Sequence, residues 1–295
     1  MMRRGARRGG MVALALGVMA GLALPAQAAP LLQAVGVESQ YADVMAQIGG
    51  AYVRVDAIET NPNTDPHEFE ISPQVAAAWH GADVIVANGL GYEAWAGRLL
   101  ADKKVILAQR VLGLPANTPN PHLWYGPQTM AALAPVIAQA FAVDDPAHAA
   151  IYRANAAVFV ASLKPWHAAI AALRARDAGA PVAVSEPVAD DLLQAAGLHI
   201  VTPFALQAAA MNGTDPAPQD VATQEALLRT GKVRLFIYNR QVVSPLSRTF
   251  LAIARKHHVP VVGVDEIMPP GQHYQHWMLT TTKAIASALQ DGPEA

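Results

Sequence analysis

Five residues in this chain combine metal-binding chemistry with a shared kind of position. His67 lies in "NTDPHEFEISP", His122 in "NPHLWYGP", Glu186 in "PVAVSEPVADD", and Asp265 and Glu266 in "VVGVDEIMPPG". Imidazole nitrogen and carboxylate oxygen bind divalent transition metals, and two carboxylates neutralise a 2+ charge. Gathering such acids without a cation is costly, because adjacent carboxylates repel. Taken singly, each residue has an ordinary explanation: a loop histidine, a packed histidine, a helix-start acid, a solvated turn acid. Their joint placement sets them apart.

That placement follows from the elements around them. "LLQAVGVES" and "ADVIVANG" read as buried strands, and "AYVRVDAIE" alternates with period two as a half-exposed strand does. Ser72 followed by Pro73 marks a helix start. "YEAWAGRLL" reads as helix, "KKVILAQ" as strand and "QTMAALAPVIAQAFAV" as a long apolar helix. The next 35 or so residues form helices by composition. Asp144 or Asp145 is the expected cap there, Pro146 fits the first turn, and Pro165 predicts a kink or break. A helix of about 30 residues spans about 45 Å, which suits a connector between two lobes.

The strand–helix alternation then restarts at "PVAVSE" and ends with the helix "YQHWMLTTTKAIASALQ". The expected fold is α/β, with two βα lobes joined by a long rigid helix and a metal cleft between them. The boundaries are 1–28 for a signal peptide, 29–143 for the N-terminal lobe, 144–179 for the connector and 180–295 for the C-terminal lobe. All five candidates fall beyond strand carboxyl ends, where α/β sheets bind ligands. No phosphate loop, nucleophile elbow or H-E-x-x-H helix competes for that cleft.

Composition narrows the partners. The chain has 295 residues, 53% of them hydrophobic and 15% charged, with a net charge of −2. That supports a sizeable core and offers no basic face for nucleic acid. The start "MMRRGARRGG" followed by "MVALALGVMAGLAL" and "PAQA" reads as a cleaved secretory signal, too short for a comfortable membrane span. No later apolar run of spanning length stands out. There is no cysteine, which excludes a lipid-anchored cysteine, disulfides and thiolate metal sites. The expected location is the periplasm.

These motifs resemble a known family, the substrate-binding proteins of zinc and manganese ABC transporters, the cluster A-I metal binders. "DPHEFEISPQVAAAWHGADVIVANGLGYEAW" resembles its D-P-H, acid-aromatic-E and N-G-hydrophobic-G-x-E-x-W run. "NPHLWYGP" resembles its D-P-H-hydrophobic-W-x-D-P segment, and "SEPVADDLLQAAGL" its third ligand segment. The resemblance implies His67 and His122 as first-lobe ligands and Glu186 as the third. The fourth would be Asp265 by one branch of the family, or Glu266 by another with V-T-E-T-x-P-P-G. Neighbours on an extended segment point opposite ways, so one of the two would bind directly.

The resemblance also implies a monomer that delivers divalent metal cargo, Mn²⁺ or Zn²⁺, to an inner-membrane ABC permease, without catalysis. Two features depart from the family pattern. Gly126 stands where the W-x-D-P segment has its acid, and no histidine-rich loop separates His67 from His122. An exported metal-dependent hydrolase and a binder of organic solutes are the competing classes. The first requires turnover that chelation abolishes, and the second requires indifference to metal.

Overall fold

β1 (Leu32–Glu38) is buried along nearly its whole length, which is the signature of a strand covered on both faces. The coordinates are a computed structural model that describes residues 1–2, 31–61, 69, 71–97 and 105–290. The signal-peptide reading and His67 therefore lie outside the described residues. α1 (Ser39–Gly49) follows β1 directly and buries Tyr41, Val44, Met45 and Ile48. Gly36 permits that packing, since a Cβ there would meet the Ala42 backbone nitrogen at 2.2 Å. β2 (Val53–Glu59) keeps the predicted alternation, with Arg54 and Asp56 exposed on an edge strand.

α2 (Pro73–Gly81) begins as its sequence predicts, with the Ser72 hydroxyl accepting the Val75 N–H at 3.2 Å. β3 (Val84–Ala87), β4 (Val105–Leu107) and α3 (Ala108–Val111) complete the first sheet region. All pairings are parallel, in the order β2-β1-β3-β4, with Ala34 beside both Val55 and Val84. Two readings needed correction. The stretch read as helix after Tyr92 is a 3-10 turn over Ala94–Ala96, with residues 98–100 outside the described set. The strand "KKVILAQ" ends at Leu107, where Ala108 begins a helix.

α4 (Thr129–Asp144) leads to the connector. A 3-10 turn at Pro146–His148 precedes α5 (Ala149–Ser162), and α6 (Lys164–Asp177) follows one residue later. The break falls at Leu163, where Pro165 withholds the N–H that a continuous helix needs. Asp145 holds the start differently from the expected cap. Its carboxylate accepts from His148 Nδ1 at 2.6 Å and from the Tyr152 hydroxyl at 2.5 Å.

Residues Pro146–Asp177 contain a window of mean hydropathy 1.4, apolar and long enough by composition to cross a membrane. That corrects the sequence reading of no second such run. Here α5 packs on α4 and α1.

The second sheet repeats the first. β5 (Pro181–Val184), α7 (Asp190–Ala195), β6 (His199–Ile200), α8 (Phe204–Met211), α9 (Pro218–Arg229), β7 (Leu235–Asn239), α10 (Pro245–Lys256) and β8 (Val261–Val264) follow in order. Their parallel sheet runs β6-β5-β7-β8, the same pattern as the first. β6 ends at Ile200, and Pro203 leads directly into α8. α11 (Tyr274–Gln290) closes the chain against α6.

One apolar core runs through both sheets, from Leu32 and Val84 through Ile137 and Trp166 to Val182 and Leu235. Trp166 sits at the connector break, 1% exposed. Its indole N–H donates to Thr282 Oγ1 at 3.0 Å, and its ring stands edge-on to Tyr274. We expect Trp166→Ala to cost about 3–5 kcal/mol in urea unfolding, as large buried aromatics do. A loss under about 1 kcal/mol would show that the junction repacks freely.

Candidate metal centre

His122 heads a 3-10 turn, Leu123–Tyr125, on the loop that leads into α4. Its side chain is fully buried. Nδ1 lies 2.8 Å from Asn120 Oδ1, which also accepts the His122 backbone N–H at 3.1 Å. That oxygen only accepts, so the ring proton sits on Nδ1 and the Nε2 lone pair faces the other way. Nε2 stands 3.0 Å from Glu266 Oε1. A ligating histidine with its second nitrogen held by an oxygen is the arrangement metal sites use.

Glu266 follows β8 and is fully buried. Besides His122, Oε1 accepts the Tyr92 hydroxyl at 3.0 Å, and Oε2 accepts from Asn239 Nδ2 at 2.8 Å. Asn239 ends β7, and its own N–H donates to Ser185 Oγ at 3.1 Å. Gln241 Oε1 accepts the N–H of Glu266 at 2.7 Å and of Ile267 at 2.8 Å. One carboxylate from the last strand of the second lobe therefore meets a tyrosine and a histidine of the first. The contact between Nε2 and Oε1 requires a shared proton, and a cation taking both atoms would replace it.

Asp265 turns the other way. Arg240 Nε donates to its Oδ1 at 2.8 Å, and Arg240 Nη2 donates to Oδ2. Its backbone carbonyl accepts the Tyr125 hydroxyl at 2.6 Å. The alternation expected of neighbouring residues thus separates the two acids. Glu186 follows β5 and Ser185, is 4% exposed, and lines a cavity of about 300 Å³ at the mouth of the second lobe. Among the described residues, no group of three or more histidine, aspartate or glutamate side chains is arranged to hold a metal ion. His122 and Glu266 are brought into contact, and His67 lies outside the described residues.

The first lobe fixes His122 from behind. Glu93 Oε1 accepts the Asn88 N–H and Oε2 accepts the Gly89 N–H at 3.0 Å. Gly89 has φ +87°, a conformation that side chains resist. The Asn88 amide then donates to the Pro121 carbonyl at 2.7 Å, and its Oδ1 accepts the Tyr41 hydroxyl at 2.7 Å. The residue before His122 is thereby tied to the end of β3.

This tethering concentrates buried acids. Burial, then the charges of Glu93 and Glu59, push Glu38 well above the usual carboxylate range. Burial also pushes Glu59 up to about 8, against the Trp95 indole N–H at 2.9 Å. Glu93 is raised by burial, against its hydrogen bonds. Tyr92 is raised by burial and by the Glu266 charge, so its hydroxyl stays a donor.

The Gly126 departure has a structural counterpart. A Cβ at Gly126 would come 3.4 Å from Asp191 Oδ2. Burial raises Asp191, while His122 and Asn120 oppose that rise. An acid from α7 thus occupies the neighbourhood where the family pattern places one at position 126.

A family model described as "Zinc-uptake complex component A periplasmic" matches residues 37–288, and the chain belongs to that family. Curated relatives include the iron-binding protein YfeA of Yersinia pestis, 26% identical over 132 residues, which are 41% of this chain and 42% of that protein. The manganese-binding lipoprotein MntA of Halalkalibacterium halodurans is 32% identical over 129 residues, 41% of this chain and 43% of that protein. The chain thus spans less than half the length of the curated relatives it matches.

Solved structures share the fold. TroA, the periplasmic zinc-binding protein of Treponema pallidum, gives a TM-score of 0.75 at 13% identity over 88% of this chain and 99% of that one. FpvC of Pseudomonas aeruginosa, solved with Mn²⁺, gives 0.73 at 21% identity over 89% and 99%.

Sequence reasoning missed Asn120, Tyr92, Asn239, Glu93 and Arg240. Asn120 and Asn239 carried a usable signal, since each abuts a candidate ligand or ends a strand.

The Glu59 proton generates a pH test. The folded chain keeps that proton to about pH 8, while the unfolded chain releases it near the ordinary 4.5. Between those values the folded state holds more protons, so stability falls as pH rises. Metal-free wild type should therefore lose stability to urea between about pH 5 and pH 8, and Glu59→Gln should lose less, by up to a few kcal/mol. Parallel pH profiles for the two proteins would show that Glu59 ionises freely in the fold.

Proposed function

We propose that the protein is an exported solute-binding protein that captures a divalent transition metal and passes it to an inner-membrane ABC permease. The observation that carries this reading is the buried contact between His122 Nε2 and Glu266 Oε1 across the lobes, with Nδ1 held by Asn120. Family membership supports it, and so does the metal binding named for YfeA, MntA and TroA. The ligands are His67, His122, Glu186 and Glu266. Asp265 anchors the segment through Arg240. Residues 1–28 direct export and are cleaved, and the protein works as a monomer in the periplasm.

Family membership supports binding rather than catalysis. Two histidines with two carboxylates make a harder site than three histidines, and Mn²⁺ is the favoured cargo. Zn²⁺ should still bind more tightly in a test tube, by the Irving–Williams order. The shared core through both lobes supports limited rocking on release rather than wide closure.

His122→Ala and Glu266→Ala should each weaken Mn²⁺ binding by at least about 100-fold in calorimetric titration, more than loss of a supporting residue does. Asp265→Asn should weaken it by less than about tenfold. Equal losses for Asp265→Asn and Glu266→Ala would remove the distinction between the two acids, and a larger loss for Asp265→Asn would reverse it. An apo-protein whose melting temperature ignores both Mn²⁺ and Zn²⁺ would favour an organic cargo instead.

A further inference from the structure

His122 and Glu266 are fully buried, so a cation needs a way in. A cavity beside Glu186 runs from that candidate ligand to Asp215 at the surface. It holds about 300 Å³ and lies between the loop after α8 and the start of α10. Its wall includes Glu186, Ser185, Asp215, Ala210 and Phe250. Asp215 is exposed at the rim and Glu186 is buried at the far side.

Two carboxylates line this cavity, and no lysine, arginine or histidine does. Its chemistry therefore selects a cation and disfavours an anion. Apolar wall residues such as Leu206 and Phe250 keep the local dielectric low and focus the field of the two acids. A cation with six waters occupies roughly 180 Å³ at about 30 Å³ per water, which fits the space. The N-terminus of α10, opened by Ser244 and Pro245, also lines the cavity.

The inner end of the cavity adjoins the site. Ser185 Oγ accepts the Asn239 N–H at 3.1 Å, and Asn239 Nδ2 donates to Glu266 Oε2 at 2.8 Å. One residue thus separates the cavity wall from the buried carboxylate.

We propose that this second-lobe cavity is the access route for the hydrated divalent cation, with Asp215 as the outer capture carboxylate and Glu186 as the point where waters begin to be shed. The proposal rests on the metal-binding reading above. Asp215 acts on the rate of capture and is not a ligand of the final complex. A route, unlike a site, changes the rates of binding and release together and leaves the equilibrium in place.

The test is stopped-flow mixing of the mature apo-protein with Mn²⁺ alone. Tryptophan fluorescence is the readout, since the Trp124 ring centroid lies 5.5 Å from that of His122. Asp215→Asn should lower the association rate about threefold at low salt, and the difference should vanish at high salt. The exposed first-lobe acid Asp56, replaced as Asp56→Asn, should leave the rate unchanged.

Ala210→Phe, which fills the cavity, should slow association and dissociation together by about tenfold with Kd unchanged. Wild-type association in Asp215→Asn at low salt overturns the proposal even if Ala210→Phe fails to fold. So does an Ala210→Phe protein that folds and keeps both rates. Those results leave the function reading intact, whereas wild-type Mn²⁺ affinity in His122→Ala would remove that reading itself.

Discussion

The structure turns on one carboxylate. Glu266 is fully buried, yet it meets His122, Tyr92 and Asn239 within hydrogen-bond distance. A buried carboxylate is tolerated only when its lone pairs are satisfied. Two of those partners belong to the first lobe and one to the second, so the acid is satisfied only while the lobes are together. The same contact that makes the site thus also holds the lobes in register.

Much of the surrounding architecture serves that contact. Gln241 grips the backbone of Glu266 and Ile267, and Arg240 takes the neighbouring Asp265. From the first lobe, Tyr125 accepts no freedom in that segment, since its hydroxyl donates to the Asp265 carbonyl. Behind His122, Glu93 and Asn88 tie the Pro121 carbonyl to the end of β3. The cost of this tethering is a set of buried acids whose burial raises their proton affinity, Glu38 and Glu59 foremost. These acids raise the negative potential around the centre when ionised, which a divalent cation relieves.

A good part of this was legible in residue order. Strand ends followed by turn residues located His122, Glu186, Asp265 and Glu266, because parallel α/β sheets put side chains of that kind at one rim. Ser72–Pro73 and the break before Pro165 were legible because capping and ring chemistry are local. The choice between Asp265 and Glu266 was not, because it depends on where Arg240 and His122 stand in space. Nor was the role of Asp191, whose neighbours His122 and Asn120 come from another element. α8 was hidden by its short apolar run after Pro203, which period alone does not separate from loop or strand.

The central claim is that a cation displaces the shared proton between His122 and Glu266. Anomalous X-ray scattering from crystals of the Mn²⁺-loaded protein tests it most directly. The account predicts a single strong peak within about 2.0–2.3 Å of both His122 Nε2 and a Glu266 oxygen, near the distances such ligands adopt. A peak elsewhere, with Nε2 and Oε1 still in their 3.0 Å contact, would contradict it.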